Sequence, residues 1–160
     1  MASTKVVLVA AVAAVAVAGL GAFLTEIGPW YRSLVQPRWK PPDWLFGPAW
    51  TTIFLLIAWA GVRAWEEAPD SSSQRCVLAL FALNGVLNVL WSLLYFRLRR
   101  PDWALIEVVP LWLSILLLIV AFAGWSPTAS WLLVPYLVWV TFAAVLNRAT
   151  VRLNGPFGGR

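Results

Sequence analysis

Charged residues are confined to short segments of this chain, and long apolar stretches lie between them. The stretches 6–25, 44–62, 76–96, 103–124 and 129–147 together contain one carboxylate, Glu107, and no basic residue. About 20 such residues in a helix cross the hydrocarbon core of a bilayer. We therefore predict transmembrane helices at 6–25, 44–62, 76–96, 103–124 and 129–150.

The composition agrees with a helical bundle in a membrane. Hydrophobic residues make up 61% of the 160 residues and charged residues 12%, which is far from the balance of a soluble globular protein. Backbone polar groups in lipid must be paired within a helix or around a closed barrel, and the strand alternation of a barrel is absent from the sequence. The predicted fold class is an all-α integral membrane protein, a five-helix transmembrane bundle that forms one domain over residues 1–160.

The segment 28–43, between the first two predicted helices, is rich in Trp and Pro, and we call it the Trp-Pro loop. Pro37, Pro41 and Pro42 lack a backbone donor and disfavour a helical conformation in the residue before them. The segment is therefore predicted to be extended or turning. Asp43 follows it and is expected to cap the next helix.

The distribution of basic residues predicts the orientation. Nine Lys and Arg fall on the side of the Trp-Pro loop and the C-terminus, and three fall on the side of the N-terminus. The positive-inside rule places the loop and the C-terminus in the cytoplasm and the N-terminus outside, in a bacterial cell membrane. This topology accounts for the net charge of +5, so no nucleic-acid partner is predicted. Residues 1–24 also resemble a secretory signal, an alternative that would leave four crossings.

Aromatic and amide residues recur at helical spacing on three of the predicted helices. The shared faces are Phe46, Trp50 and Phe54 on the second, Asn84, Asn88, Trp91 and Tyr95 on the third, and Tyr136, Trp139, Ala143 and Asn147 on the fifth. Polar groups in a membrane helix avoid lipid and find partners within the bundle or in a cavity. The spacing alone leaves both interpretations open, and Trp residues near helix ends also fit an interfacial belt.

Few side chains could ligate a metal or act as a nucleophile. The sequence has no His and a single Cys, Cys76, which excludes an internal disulfide and His ligation of zinc or haem iron. No set of nucleophile, base and orienting group is visible, and we predict no metal and no resident cofactor. Glu107 lies near the start of its helix, where we expect it to reach the headgroups or to pair with Arg99 or Arg100.

Three stretches resemble the tryptophan-rich sensory protein family, also known as the TspO/MBR, translocator protein or peripheral benzodiazepine receptor family. They are the Trp-Pro loop with the helix after it, the pair Asn84 and Asn88 with Trp91-Ser92, and Pro135-Tyr136 with Trp139. The resemblance extends over about the whole chain, which is identified as a bacterial member.

The resemblance implies a membrane receptor or sensor that binds porphyrins such as protoporphyrin IX, and other flat hydrophobic ligands, in a cavity between helices. Such a protein would regulate or handle tetrapyrroles. The ligand-binding residues implied are Trp39, Trp44, Phe46, Trp50, Phe54, Asn84, Asn88, Trp91, Pro135, Tyr136, Trp139 and Ala143. Two alternatives stay open: a light- or oxygen-dependent enzyme that degrades the porphyrin through Trp50 and Trp139, and a passive porphyrin or lipid transporter.

The resemblance also implies a homodimer. A stripe of small residues on the first helix would allow close helix contact within the bundle or across a dimer: Ala10, Ala14, Ala18 and Ala22. The cholesterol-recognition pattern of animal members needs a Tyr where this chain has Arg148, so sterol binding is not expected.

Overall fold

The computed structural model describes residues 3–158 and shows six α-helices within them. They are α1 (Thr4–Leu24), α2 (Pro29–Ser33), α3 (Asp43–Glu66), α4 (Ser71–Ser92), α5 (Pro101–Ala123) and α6 (Pro127–Asn154). The span that begins with α4 continues through a π-helical turn, Leu93–Arg97, in which the Leu98 N–H donates to the Leu93 carbonyl at 2.9 Å. Five spans are long and apolar enough to cross a membrane. The predicted all-α, five-helix membrane bundle is confirmed.

The observed helices are longer than the apolar stretches that predicted them. The third span begins at Ser71 rather than at residue 76, because the Asp70 carboxylate accepts a hydrogen bond from the Ser73 N–H at 2.7 Å and caps the first turn. The same backbone hydrogen bond lowers the pKa of Asp70. Polar first turns of this kind carry no hydropathy signal, so the prediction placed the start too late.

Two local predictions around the Trp-Pro loop differ from the structure. Residues Pro29–Ser33 form the short helix α2, with Pro29 at its first position, where the missing N–H costs no helical hydrogen bond. Asp43 does not cap α3: it is the first helical residue, and Pro42, which takes the N-cap position, makes no side-chain capping bond. The Asp43 carboxylate instead accepts hydrogen bonds from Lys40 and Tyr31.

The five spans form a closed ring in the order α1, α3, α6, α5, α4, since each packs against its two neighbours in that series. We call the end that carries the Trp-Pro loop, the α4–α5 turn and the C-terminus the loop end. The opposite end carries the start of α1 and the α3–α4 and α5–α6 connections. The two ends differ in packing, and this difference positions the site.

The half of the bundle toward the opposite end is a compact apolar core. Its fully buried members come from α3, α5 and α6: Ala60, Ala64, Ile115, Leu118, Phe122, Ala129 and Leu133. The small side chains of α3 allow close approach of its neighbours, and the Trp125 indole N–H donates to the Ala64 carbonyl at 3.3 Å. A groove of about 470 Å³ at this end lies outside the core, between α1 and α3, and its lining includes Arg63 and Glu66. The large aromatic groups of the loop-end half form the candidate site.

Helix α1 lies at the periphery and buries none of its side chains fully. Ala10, Ala14 and Ala18 face the bundle and are half-buried, whereas Ala22 is exposed. Close contact with α4 occurs at Gly85, where a Cβ atom would lie 3.2 Å from Val17 Cγ2. Most of the small-residue stripe therefore packs within the bundle.

Candidate functional site

An aromatic cluster occupies the space between α3 and α6 in the loop-end half. It consists of Phe46, Trp50, Phe54, Tyr136, Trp139 and Phe142. The Trp50 ring lies edge-to-face with Tyr136 and with Trp139, with centroids 6.3 Å apart in each case. Phe46 contacts Trp139 with ring centroids 5.6 Å apart, and Phe54 contacts Trp50 at the same distance. Helical spacing brings these rings onto facing surfaces, and edge-to-face contacts of this kind are favourable for aromatic pairs.

A buried polar network lies beside the aromatic cluster and ties α4 to α5 and α6. Asn88 Nδ2 donates to the Tyr136 hydroxyl at 2.9 Å, and that hydroxyl donates to Asn84 Oδ1 at 3.3 Å. Asn84 Nδ2 donates to Ser114 Oγ at 2.9 Å, and Ser114 donates to the Leu111 carbonyl at 2.7 Å. Both interpretations of the Asn pair therefore have support, because the amides join helices and Asn88 also lines a cavity.

The cavity between these elements is small in this structure. Its volume is about 20 Å³, and it is lined by Trp50, Asn88, Trp91, Ser92, Val108, Leu111, Val140 and Ala143. A space of this size holds about one water molecule. A flat ligand would therefore have to displace aromatic side chains or move the helices apart. Trp91 forms one wall and stacks on Tyr95, with ring centroids 5.0 Å apart.

Sequence reasoning missed some of these residues and misplaced another. Ser114 is a lone hydroxyl in an apolar helix, and its partnership with Asn84 became visible only when α4 and α5 were brought together. The expectation for Glu107 is wrong, because its side chain is buried within the bundle and has no ion pair among residues 3–158. Arg100 pairs with Asp102, its Nε lying 2.8 Å from Asp102 Oδ1, and the Arg99 guanidinium lies over the Trp30 ring.

The Trp-Pro loop covers the loop end of the aromatic cluster. The Asn154 side chain accepts a hydrogen bond from the Val35 N–H at 2.7 Å and donates to the Val35 carbonyl at 2.9 Å. Trp39 packs edge-on against Phe142, with ring centroids 6.1 Å apart, although half of its own surface stays exposed. The loop is thus attached to α6 at two points.

A small group of titratable side chains orders the end of the loop. Burial raises the pKa of the Tyr31 hydroxyl above its usual value. Partial burial opposes the charge of Lys40, but the contacts with Asp43 and Tyr31 outweigh it and raise the pKa of Lys40. Lys40 therefore stays a cation beside the cluster.

Two of the predicted site residues lie outside the cluster. Trp44 is 71% exposed on the first turn of α3, and Pro135 is exposed on α6. The ten others belong to the aromatic cluster, the polar network, the cavity wall or the covering loop. No group of three His, Cys, Asp or Glu side chains suited to a metal ion occurs in the described part of the chain.

Comparison with known proteins agrees with the geometry. A sequence model of the TspO/MBR family matches residues 7–152. The chain is 41% identical over 150 residues to the tryptophan-rich protein TspO of Archaeoglobus fulgidus, covering 92% of this chain and 96% of that protein. It is 41% identical over 125 residues to the tryptophan-rich protein TspO of Chlorobaculum tepidum, covering 78% of this chain and 79% of the relative. The translocator protein of Sus scrofa is 37% identical over 152 residues, covering 90% of each chain. The protein therefore belongs to the TspO/MBR family of membrane sensor and translocator proteins.

Proposed function

We propose that this protein is a membrane receptor that binds porphyrins such as protoporphyrin IX, and other flat hydrophobic ligands, between α3, α4 and α6. The observation that carries the proposal is the placement of Trp50 and Trp139, with ring centroids 6.3 Å apart, next to a buried network of amides. Sites for small molecules combine apolar and aromatic walls with a few fixed polar groups. The cluster supplies both.

The ligand class follows from the shape and charge of the loop end. Indole faces offer extended flat surfaces for stacking, and the neighbouring loop carries cations that suit the propionates of a porphyrin. Arg38 is exposed on that loop, and Lys40 lies over the Tyr31 ring at 5.3 Å. Entry of the ligand requires the loop to lift and the Trp rings to rotate, because the present cavity is small. The outcome would be sensing or handling of tetrapyrroles.

Titration of the purified protein with protoporphyrin IX in the dark, followed by Trp fluorescence quenching, tests this proposal. We expect saturable quenching in the wild type, and an affinity at least about ten-fold lower in Trp50→Ala and in Trp139→Ala because stacking area is lost. Trp59→Ala is the matched control: Trp59 is on α3 as well, but its side chain is 57% exposed and lines the groove toward α1 rather than the aromatic cluster. Unsaturable quenching in the wild type, or equal loss in the Trp59 variant, would contradict the proposal.

Two further arms separate this function from its alternatives. Loss of the porphyrin absorption bands under illumination, dependent on Trp50 and Trp139, would favour a degrading enzyme. Movement of porphyrin into sealed liposomes above the rate of protein-free vesicles would favour a passive transporter. A receptor leaves the porphyrin chemically unchanged and on its own side of the membrane.

The orientation and the assembly form part of the same proposal. The excess of basic residues at the loop end supports a cytoplasmic location for the Trp-Pro loop and the C-terminus in a bacterial cell membrane. A homodimer stays a prediction from the family, and the exposed outer surface of α1 is available for it.

A further inference from the structure

Glu107 is a buried side chain that belongs neither to the aromatic cluster nor to the polar network. It lies on α5, its side chain is 7% exposed, and neither carboxylate oxygen has a hydrogen-bond partner among residues 3–158. An ionisable group buried in a membrane bundle without a partner is costly. An ionisable group buried in this way is a candidate for a functional role, so we look for its missing partner near the site.

The register of the helices places Glu107 at the loop-end side of the cavity. Val108 is its neighbour in sequence and Leu111 lies one helical turn further on, and both line the cavity. The hydrogen bond between Asn84 and Ser114 aligns α4 with α5, which run in opposite directions. Trp91 follows Asn84 by seven residues, and Glu107 precedes Ser114 by seven. The two side chains therefore lie at the same level of the bundle.

Unpaired donors accompany this unpaired acceptor. The indole Nε1 atoms of Trp91 and Trp139 are buried and have no hydrogen-bond partner within the described residues. Buried polar atoms are nearly always paired in folded proteins. Gln36 Nε2 of the Trp-Pro loop is a fourth unpaired side chain in this half of the bundle, and such a set is expected where a polar molecule completes a site.

We propose that Glu107 is the hydrogen-bond acceptor of the ligand site and selects flat aromatic ligands that carry an N–H group. This inference rests on the proposed function and names the chemistry that the site recognises. A carboxyl oxygen accepts a hydrogen bond from an N–H donor whether the group is ionised or neutral, whereas an aromatic ether oxygen has no proton to donate. The indole N–H groups of Trp91 and Trp139 would bind acceptor atoms at the ligand edge.

Two flat probes of the same size test the selection. Carbazole presents one N–H, and dibenzofuran has an oxygen in its place without added bulk. We expect the wild type in detergent, followed by isothermal titration calorimetry, to bind carbazole at least about ten-fold more tightly than dibenzofuran. The ratio should fall to about one in Glu107→Leu and stay above one in Glu107→Gln, whose amide oxygen still accepts. Glu26→Gln, at an exposed position of the loop end, should keep the wild-type ratio.

Thermal unfolding of the same variants separates recognition from structural support. A carboxylate without a partner destabilises the bundle, so Glu107→Leu should melt at or above the temperature of the wild type. A lower melting temperature together with equal loss of both probes would assign Glu107 to structure and overturn the proposal. Equal binding of the two probes by the wild type would overturn it as well.

Protoporphyrin IX, included beside the two probes, distinguishes the two proposals. Saturable binding of the porphyrin without discrimination between carbazole and dibenzofuran would leave the receptor function standing and remove the role of Glu107. A carbazole preference that depends on Glu107, without porphyrin binding, would support the recognition of N–H and remove the porphyrin as ligand.

Discussion

Tyr136 is the residue at which the aromatic cluster and the buried polar network meet. Its ring lies edge-on to Trp50, and its hydroxyl accepts from Asn88 and donates to Asn84. The side chain is 1% exposed, so its hydroxyl must be satisfied by protein groups. One residue therefore packs against Trp50 of the cavity wall and links α4 to α6.

Replacement of Tyr136 by Phe tests this link. The ring stays, but Asn88 Nδ2 and Asn84 Oδ1 lose their shared partner in a buried place, which should cost about 1–3 kcal/mol in the free energy of unfolding. The measurement is thermal unfolding in detergent followed by circular dichroism. Tyr31→Phe is the control, since its hydroxyl bonds to Asp43, whose exposed carboxylate water can reach, and we expect little change. Equal melting temperatures for wild type and Tyr136→Phe would show that the network adds no stability.

The residue scale also shows where local reasoning fails. Asn84, Asn88 and Trp91 were placed on one face from their spacing, and the structure buries both amides and sets Trp91 in the cavity wall. Glu107 was expected at the headgroups because it lies near the start of its helix. The depth of a side chain depends on which neighbouring helices cover it, and the sequence of one helix does not contain that information.

At the scale of elements, the Trp-Pro loop is attached to the end of α6 beside the candidate site. Asn154 forms two hydrogen bonds with the backbone of Val35 and a third with the Thr150 carbonyl at 2.9 Å. These bonds join segments 119 residues apart in sequence. The loop is held by few groups, so it can open without unfolding of the bundle.

We expect Asn154→Ala to release the Trp-Pro loop. Loss of the two bonds to Val35, at about 1 kcal/mol each, should raise the rate of tryptic cleavage after Arg38 roughly ten-fold or more. Leu153→Ala, at the adjacent and exposed position, is the control and should leave the rate unchanged. Similar cleavage of Asn154→Ala and wild type would mean that other contacts hold the loop.

At the scale of the whole molecule, the bundle combines a compact half with an adaptable half. The core shared by α3, α5 and α6 toward the opposite end is fully buried, and the groove at that end lies outside it, between α1 and α3. The loop-end half holds large aromatic rings around a small cavity between the helices. Large rings can rotate to admit a ligand, while a close-packed apolar core cannot. Ligand entry is therefore expected from the loop end.

The direction of entry depends on the orientation of the bundle, which cysteine labelling can establish. In a Cys76→Ser background, a cysteine at Ser72, which is exposed at the opposite end, should react with an impermeant maleimide in intact spheroplasts. A cysteine at Leu153, which is exposed at the loop end, should react only after the membrane is opened. The reverse pattern would place the Trp-Pro loop outside the cell.

The sequence by itself determined the number and approximate positions of the membrane spans, the family, and the faces that carry the aromatic and amide residues. Hydropathy and helical periodicity are local properties, so they can be counted along the chain. Hydropathy does not locate the polar ends of helices or short polar helices. The predicted start of α4 was therefore too late, and the short helix α2 was missed.

Only the tertiary structure decided how the five spans surround the site. The ring order brings Ser114 to Asn84 and Asn154 to Val35, leaves Trp44 exposed, and covers Glu107. These outcomes depend on contacts between segments far apart in sequence. The small volume of the cavity also depends on such contacts. The space left between helices is set by how their side chains interlock rather than by which residues face inward.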